Sequence, residues 1–169
     1  MITDSELAAL FASPAFVGTV LRFGSFLDYD LDCLIAIYFA RGDRLNTALD
    51  LLLPELTFGR KIELLRKLPL RHAKSHRDAI ASLKAFQKLR NLAAHSWTVS
   101  RAKARELLSD QAIRALFVTY PVSLETGFRL TRRRLTRLRQ SKAFGADARA
   151  VSQQLDMRAV ELVLENASA

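Results

Sequence analysis

Cysteine is almost absent from this chain of 169 residues: Cys33 stands alone, which excludes an internal disulfide framework and a Cys-rich zinc site. Histidine is scarce too, with only His72, His76 and His95. Glycine and proline are few, six and four, which excludes collagen-like and low-complexity classes. The longest apolar run, Cys33 to Ala40, has eight residues, far short of the ~20 that span a bilayer. Asp4 and Glu6 stand where a signal peptide would carry positive charge. A cytoplasmic protein with no membrane partner is therefore expected. There is no Gly-rich phosphate loop, no His-Glu-x-x-His and no nucleophile elbow.

What remains is an ordinary globular composition, half hydrophobic and a quarter charged, at a length that suits one domain. About two-thirds of the unfolded surface can be buried at this size, so no metal or disulfide staple is needed. The net charge of +9 is local. Between Gly127 and Ala146 stand Arg129, Arg132, Arg133, Arg134, Arg137, Arg139 and Lys142, with no acid among them. Without these seven the chain is close to neutral, so a polyanion contact is expected at one place. A solvated helix face gives the same pattern.

The apolar positions recur at three- and four-residue steps. Val17, Val20, Leu21, Gly24, Leu27, Leu31, Leu34, Ile35 and Tyr38 predict one long helix from about Pro14 to Ala40, stopped at Arg41-Gly42-Asp43. A short helix is expected from Leu45 to Leu53, and another from Thr57 that closes before Pro69. Ser75 with Asp78 resembles a capping box for a helix that carries Ala79, Leu83, Phe86, Leu89 and Ala93 inward and ends near Ser96-Trp97-Thr98. Ser100 caps a helix to about Tyr120. The basic helix follows, Gly145 breaks it, and a last helix runs from Ala148 to Leu164. No stretch has a period of two. The reading is all-α: a single-domain antiparallel helical bundle over residues 1–169.

His72 and His76 form an i, i+4 pair in what reads as a solvated linker, so no metal and no cofactor are expected there. Asp28, Asp30 and Asp32 cluster on the long helix, with Asp28 and Asp32 on one face. They read as salt-bridge partners, or as partners for a core arginine, rather than as metal ligands. Such an arginine exists. On a helical wheel Arg90 falls in the middle of the arc defined by Ala79, Leu83, Phe86 and Ala93, while Asn91 and His95 lie on its edge, roughly 40° apart. An arginine in an apolar stripe requires an anion. That anion is either Asp28 or Asp32, which makes Arg90 structural, or a substrate phosphate, for which a planar guanidinium is well suited.

The segment Leu89-Arg90-Asn91-Leu92-Ala93-Ala94-His95-Ser96-Trp97 resembles the Arg-x(4–6)-His motif of HEPN domains, in which a polar residue, often Asn, follows the arginine. Three pairs fit the bare spacing: Arg66 with His72, Arg71 with His76, and Arg90 with His95. Only the last lies in one continuous helical pattern. Leu56-Thr57-Phe58-Gly59-Arg60-Lys61-Ile62-Glu63-Leu64-Leu65 is similar to the second-helix region of the mannitol-operon-repressor-like branch, and the likeness spans about residues 17–97. The basic part, about residues 122–169, lies beyond it and adds C-terminal helices.

The resemblance implies an all-α, homodimeric, metal-independent endoribonuclease of the toxin–antitoxin or abortive-infection kind, with RNA as substrate and an antitoxin or regulatory protein as possible partner. Its catalytic residues here would be Arg90, Asn91 and His95. Nucleotidyltransferase-paired members carry a modifiable Tyr two residues after the His; here Trp97 stands there and has no hydroxyl. Other members are catalytically inactive regulators, the alternative that the mannitol-repressor branch raises. RNA cleavage without a metal needs a base for the ribose 2′-OH, an acid for the leaving 5′-oxygen, and positive charge at the phosphate. An imidazole, with an unperturbed pKa of about 6.5, serves either proton-transfer role. Arg90 would stabilise developing charge, and Asn91 would orient the phosphate or the imidazole. One usable His per chain implies a second copy at the site. Arg129, Arg132, Arg133 and Arg137 are the expected RNA contacts, binding the backbone without reading sequence. A third reading is a basic helical nucleic-acid binder whose Arg90 is simply salt-bridged.

Overall fold

The computed structural model describes residues 2–39, 47–68, 73–95 and 99–140, and the helical periodicity is realised throughout them, with no strand. The helices are α1 (Asp4–Phe11), α2 (Pro14–Phe39), α3 (Phe58–Lys67), α4 (Ala73–His95), α5 (Arg101–Ser109), α6 (Gln111–Ala115) and α7 (Val122–Arg139). A single π-helical turn, Ala48–Leu52, replaces the short α-helix expected from Leu45 to Leu53. The stops at Arg41–Asp43 and Pro69, together with His72, Lys142, Gly145 and the expected helix Ala148–Leu164, lie outside the described residues.

Three boundaries differ from expectation, each for a local reason. α1 was not anticipated, although Thr3-Asp4-Ser5-Glu6 carries its start signal. The Glu6 backbone N–H donates to Thr3 Oγ1 at 3.2 Å, and the Thr3 N–H donates to Glu6 Oε2 at 2.7 Å, a reciprocal capping box. α4 begins at Ala73, so Ser75 is already inside it rather than capping it. The helix expected from Ser100 to Tyr120 is broken at Asp110, which is extended and accepts the N–H groups of Ala112 and Ile113, capping α6.

α4 is the centre of a single-domain bundle and runs antiparallel to α2, α3 and α7. Gly24 of α2 lies against Arg90, while Val17 and Leu21 share a groove with Ala93 and Ala94. Gly59 and Glu63 of α3 meet Gln87 and Lys84. Phe128 and Arg134 of α7 meet Phe86 and Ser82. α2 and α7 consequently run the same way: Phe23 stacks on Phe128 with ring centroids 4.1 Å apart, and Asp30 pairs with Arg132. The predicted faces of Leu27, Leu31 and Leu34, of Leu83, Phe86 and Leu89, and of Leu135 and Leu138 are buried together. Each such side chain stabilises the fold by about 1.5–3 kcal/mol. Among the described residues no single helix is long and apolar enough to cross a membrane.

Candidate functional site

Lys61 sits in the apolar stripe Phe58, Lys61, Ile62, Leu65 of α3, and helix packing drives it inward against α2. Its side chain is 4 % exposed. Nζ lies 2.9 Å from Asp28 Oδ1 and 2.6 Å from Asp32 Oδ1, so both carboxylates of the i, i+4 pair are held by one ammonium. The other oxygen of Asp28 accepts from Arg90 NH1 at 3.1 Å. Arg90 also lies over the Phe58 ring, 5.4 Å from its centroid. Two acids and two bases thus form a closed, formally neutral cluster between α2, α3 and α4. Burial pushes the Asp32 carboxyl above its ordinary range, and the hydrogen bond and charge of Lys61 oppose that shift.

Arg90 therefore has the internal anion that its place in the stripe required, and the anion is Asp28. Its side chain is still 29 % exposed. A guanidinium has five N–H donors; among the described residues, Asp28 takes only an NH1 donor of Arg90. Asn91 and His95 are both exposed. Asn91 continues the stripe of Lys84 and Gln87, whose partners Glu63 and Gly59 belong to α3. α3 starts at Phe58, level with Arg90, and Asn91 and His95 follow Arg90 towards the C-terminal end of α4. The three residues thus share the C-terminal end of α4, with Arg90 paired and Asn91 and His95 exposed among the described residues. Trp97 lies outside the described residues.

His76 is buried, not solvated as the linker reading had it. Its Nε2 is 2.7 Å from the Leu65 carbonyl oxygen, to which it must donate because a carbonyl only accepts. It closes the end of α3. Among the described residues no group of three or more His, Cys, Asp or Glu side chains is placed to hold a metal ion.

On α7 the four arginines expected to contact RNA, Arg129, Arg132, Arg133 and Arg137, are all exposed. Two are already paired. Arg129 NH2 is 2.6 Å from Glu125, and Arg132 makes a two-point contact with Asp30 at 2.5 and 3.1 Å. Arg133 and Arg137 have no ion-pair partner among the described residues. Arg139, another of the seven bases of this segment, is buried: on the wheel it lies about 20° from Arg132, on the side of the buried Leu135 and Leu138. Arg134 turns towards α4 and donates to Ser82 Oγ at 2.7 Å.

Sequence reasoning named Asp28 and Asp32 for Arg90 but missed Lys61, although a lysine at the i, i+3, i+4 positions of an apolar stripe is the same signal that singled out Arg90. No family model, curated protein or solved structure matches this chain.

Proposed function

We propose that this chain is a HEPN-type, metal-independent endoribonuclease acting as a toxin or defence protein, with a site composed from two copies. The observation that supports this reading is the end of α4, where exposed Asn91 and His95 stand beside an arginine immobilised by Asp28 and Phe58. His95 of one copy takes the proton from the ribose 2′-OH, and the 2′-oxygen attacks phosphorus. The P–O5′ bond breaks to leave a 2′,3′-cyclic phosphate, and His95 of the second copy gives its proton to the departing 5′-oxygen. The remaining N–H edges of Arg90 stabilise phosphate charge from a preorganised position, and Asn91 orients the phosphate or the imidazole. DNA lacks the 2′-OH and is not a substrate.

A second reading is a catalytically inactive regulator or interaction module, similar to the mannitol-operon repressor. The Arg90–Asp28 pair favours it, because a guanidinium neutralised inside a closed cluster has less charge to offer a phosphate. A helical nucleic-acid binder with a structural Arg90 requires the same pair. RNA cleavage in EDTA by wild type, His95→Ala and Arg90→Ala, compared at matched folding, separates these readings. Loss of cleavage in both variants supports the nuclease, and an inert wild type supports the module.

A further inference from the structure

Phe26 is a large apolar side chain that the fold leaves 42 % exposed, at the seam between α2 and α7. Its ring is not loose. It rests 6.3 Å from the Phe128 ring, and the Arg132 guanidinium lies 5.8 Å from the centroid of each. Arg132 is in turn locked by its two bonds to Asp30. Arg22 lies one turn before Phe26 on the same face of α2 and is exposed. On α7, Arg129 lies one turn before Arg132, and Arg133 and Arg137 continue from Arg129 in an exposed row at i, i+4 spacing. Beside Phe26, Arg22, Arg129 and Arg132 outnumber Glu125 and Asp30 by one, and Arg133 and Arg137 extend the positive charge along the outer face of α7.

We infer that Phe26 is a stacking platform for an unpaired base of single-stranded RNA, with Arg22 and the Arg129–Arg133–Arg137 row following the backbone. The chemistry favours RNA over a protein partner. A single exposed ring bordered by arginines offers a base-stacking face next to charge that matches a phosphate backbone. It favours single strands over duplex, because an aromatic ring on a helix surface reaches only a base that is already unstacked. The inference rests on the RNA-directed reading above but not on cleavage.

The test is fluorescence anisotropy with short labelled 2′-O-methyl oligonucleotides, which lack the nucleophile and stay intact, single-stranded and as duplex. Phe26→Ala is expected to weaken single-strand binding about 5- to 100-fold and to leave duplex binding unchanged, with Phe26→Trp retaining affinity. Arg133→Ala and Arg137→Ala are each expected to lower the slope of log K against log salt by ~0.7. Unchanged affinity in Phe26→Ala, an equal loss on duplex, or no binding by wild type overturns the platform. A change in self-association with RNA affinity intact overturns it in favour of a protein-contact face. Cleavage of ordinary RNA is measured alongside. Binding without cleavage overturns the nuclease reading alone, and cleavage with a silent Phe26→Ala overturns the platform alone.

Discussion

Gly24 is the space through which Arg90 reaches Asp28: a Cβ at residue 24 would lie 2.6 Å from Arg90 Cδ and 3.1 Å from Cγ. Those atoms belong to the stem of the arginine, whose far end is fixed by Asp28 and Phe58, so the stem has little freedom to give way. The absence of a side chain on α2 and the ion pair are two parts of one arrangement.

Gly24→Ala therefore destabilises the fold. Overpacking costs about 1–3 kcal/mol against the ~1 kcal/mol that alanine gains over glycine in a helix, a net loss of up to ~2 kcal/mol. Gly18, on the same helix, has nothing within 4 Å of its Cβ position. Gly18→Ala is expected to stabilise by about 0.5–1 kcal/mol. Urea denaturation of the two variants reads opposite signs.

Lys61→Met leaves Asp28 and Asp32 facing one another with only Arg90 to compensate. Removing one partner of a buried ion pair costs about 3–5 kcal/mol, so the variant unfolds at much lower denaturant or fails to fold. The check is the urea midpoint, with Lys61→Arg, which keeps the charge, falling between it and wild type.

Much of this was legible in the sequence, and the limits have physical causes. The faces of α2, α4 and α7 follow from periodicity because each helix has one apolar stripe. Arg90 and its acid partners were readable because a charge in such a stripe needs an opposite charge. Local caps mark boundaries that periodicity does not: Ser100 announces α5, Thr3 with Glu6 announces α1, and Asp110 announces the break between α5 and α6. Long-range choices were not readable. Asp30 selects Arg132 from several equivalent arginines across 102 residues, and that depends on α2 and α7 running parallel. His76 looked solvated because its partner, the Leu65 carbonyl, is backbone and leaves no mark in the side-chain pattern.

Asp32 sets a pH dependence of known sign. Burial raises its pKa in the folded protein above the ordinary 3.8, so the folded state holds the proton more tightly than the unfolded chain does. Its contribution to stability is complete below 3.8 and is lost as pH rises through the folded value. Asp32→Asn cannot titrate. The stability of wild type relative to this variant should fall as pH increases across that interval, measured by urea denaturation in steps from acid towards neutrality.

Cys33 should be inert in the folded protein. Burial is the main cause of a thiol pKa pushed up to about 11, so almost no thiolate is present near neutrality. Ellman's reagent is expected to give no fast reaction in native buffer and one thiol per chain in denaturant.

The most direct measurement is cleavage of single-stranded RNA by the purified wild-type chain in EDTA, beside His95→Ala, whose exposed side chain can be removed without disturbing the core. Cleavage by wild type that leaves 2′,3′-cyclic phosphate ends, and is lost in His95→Ala, is the expected result. No cleavage of any RNA offered to wild type, or undiminished cleavage by His95→Ala, contradicts the ribonuclease assignment.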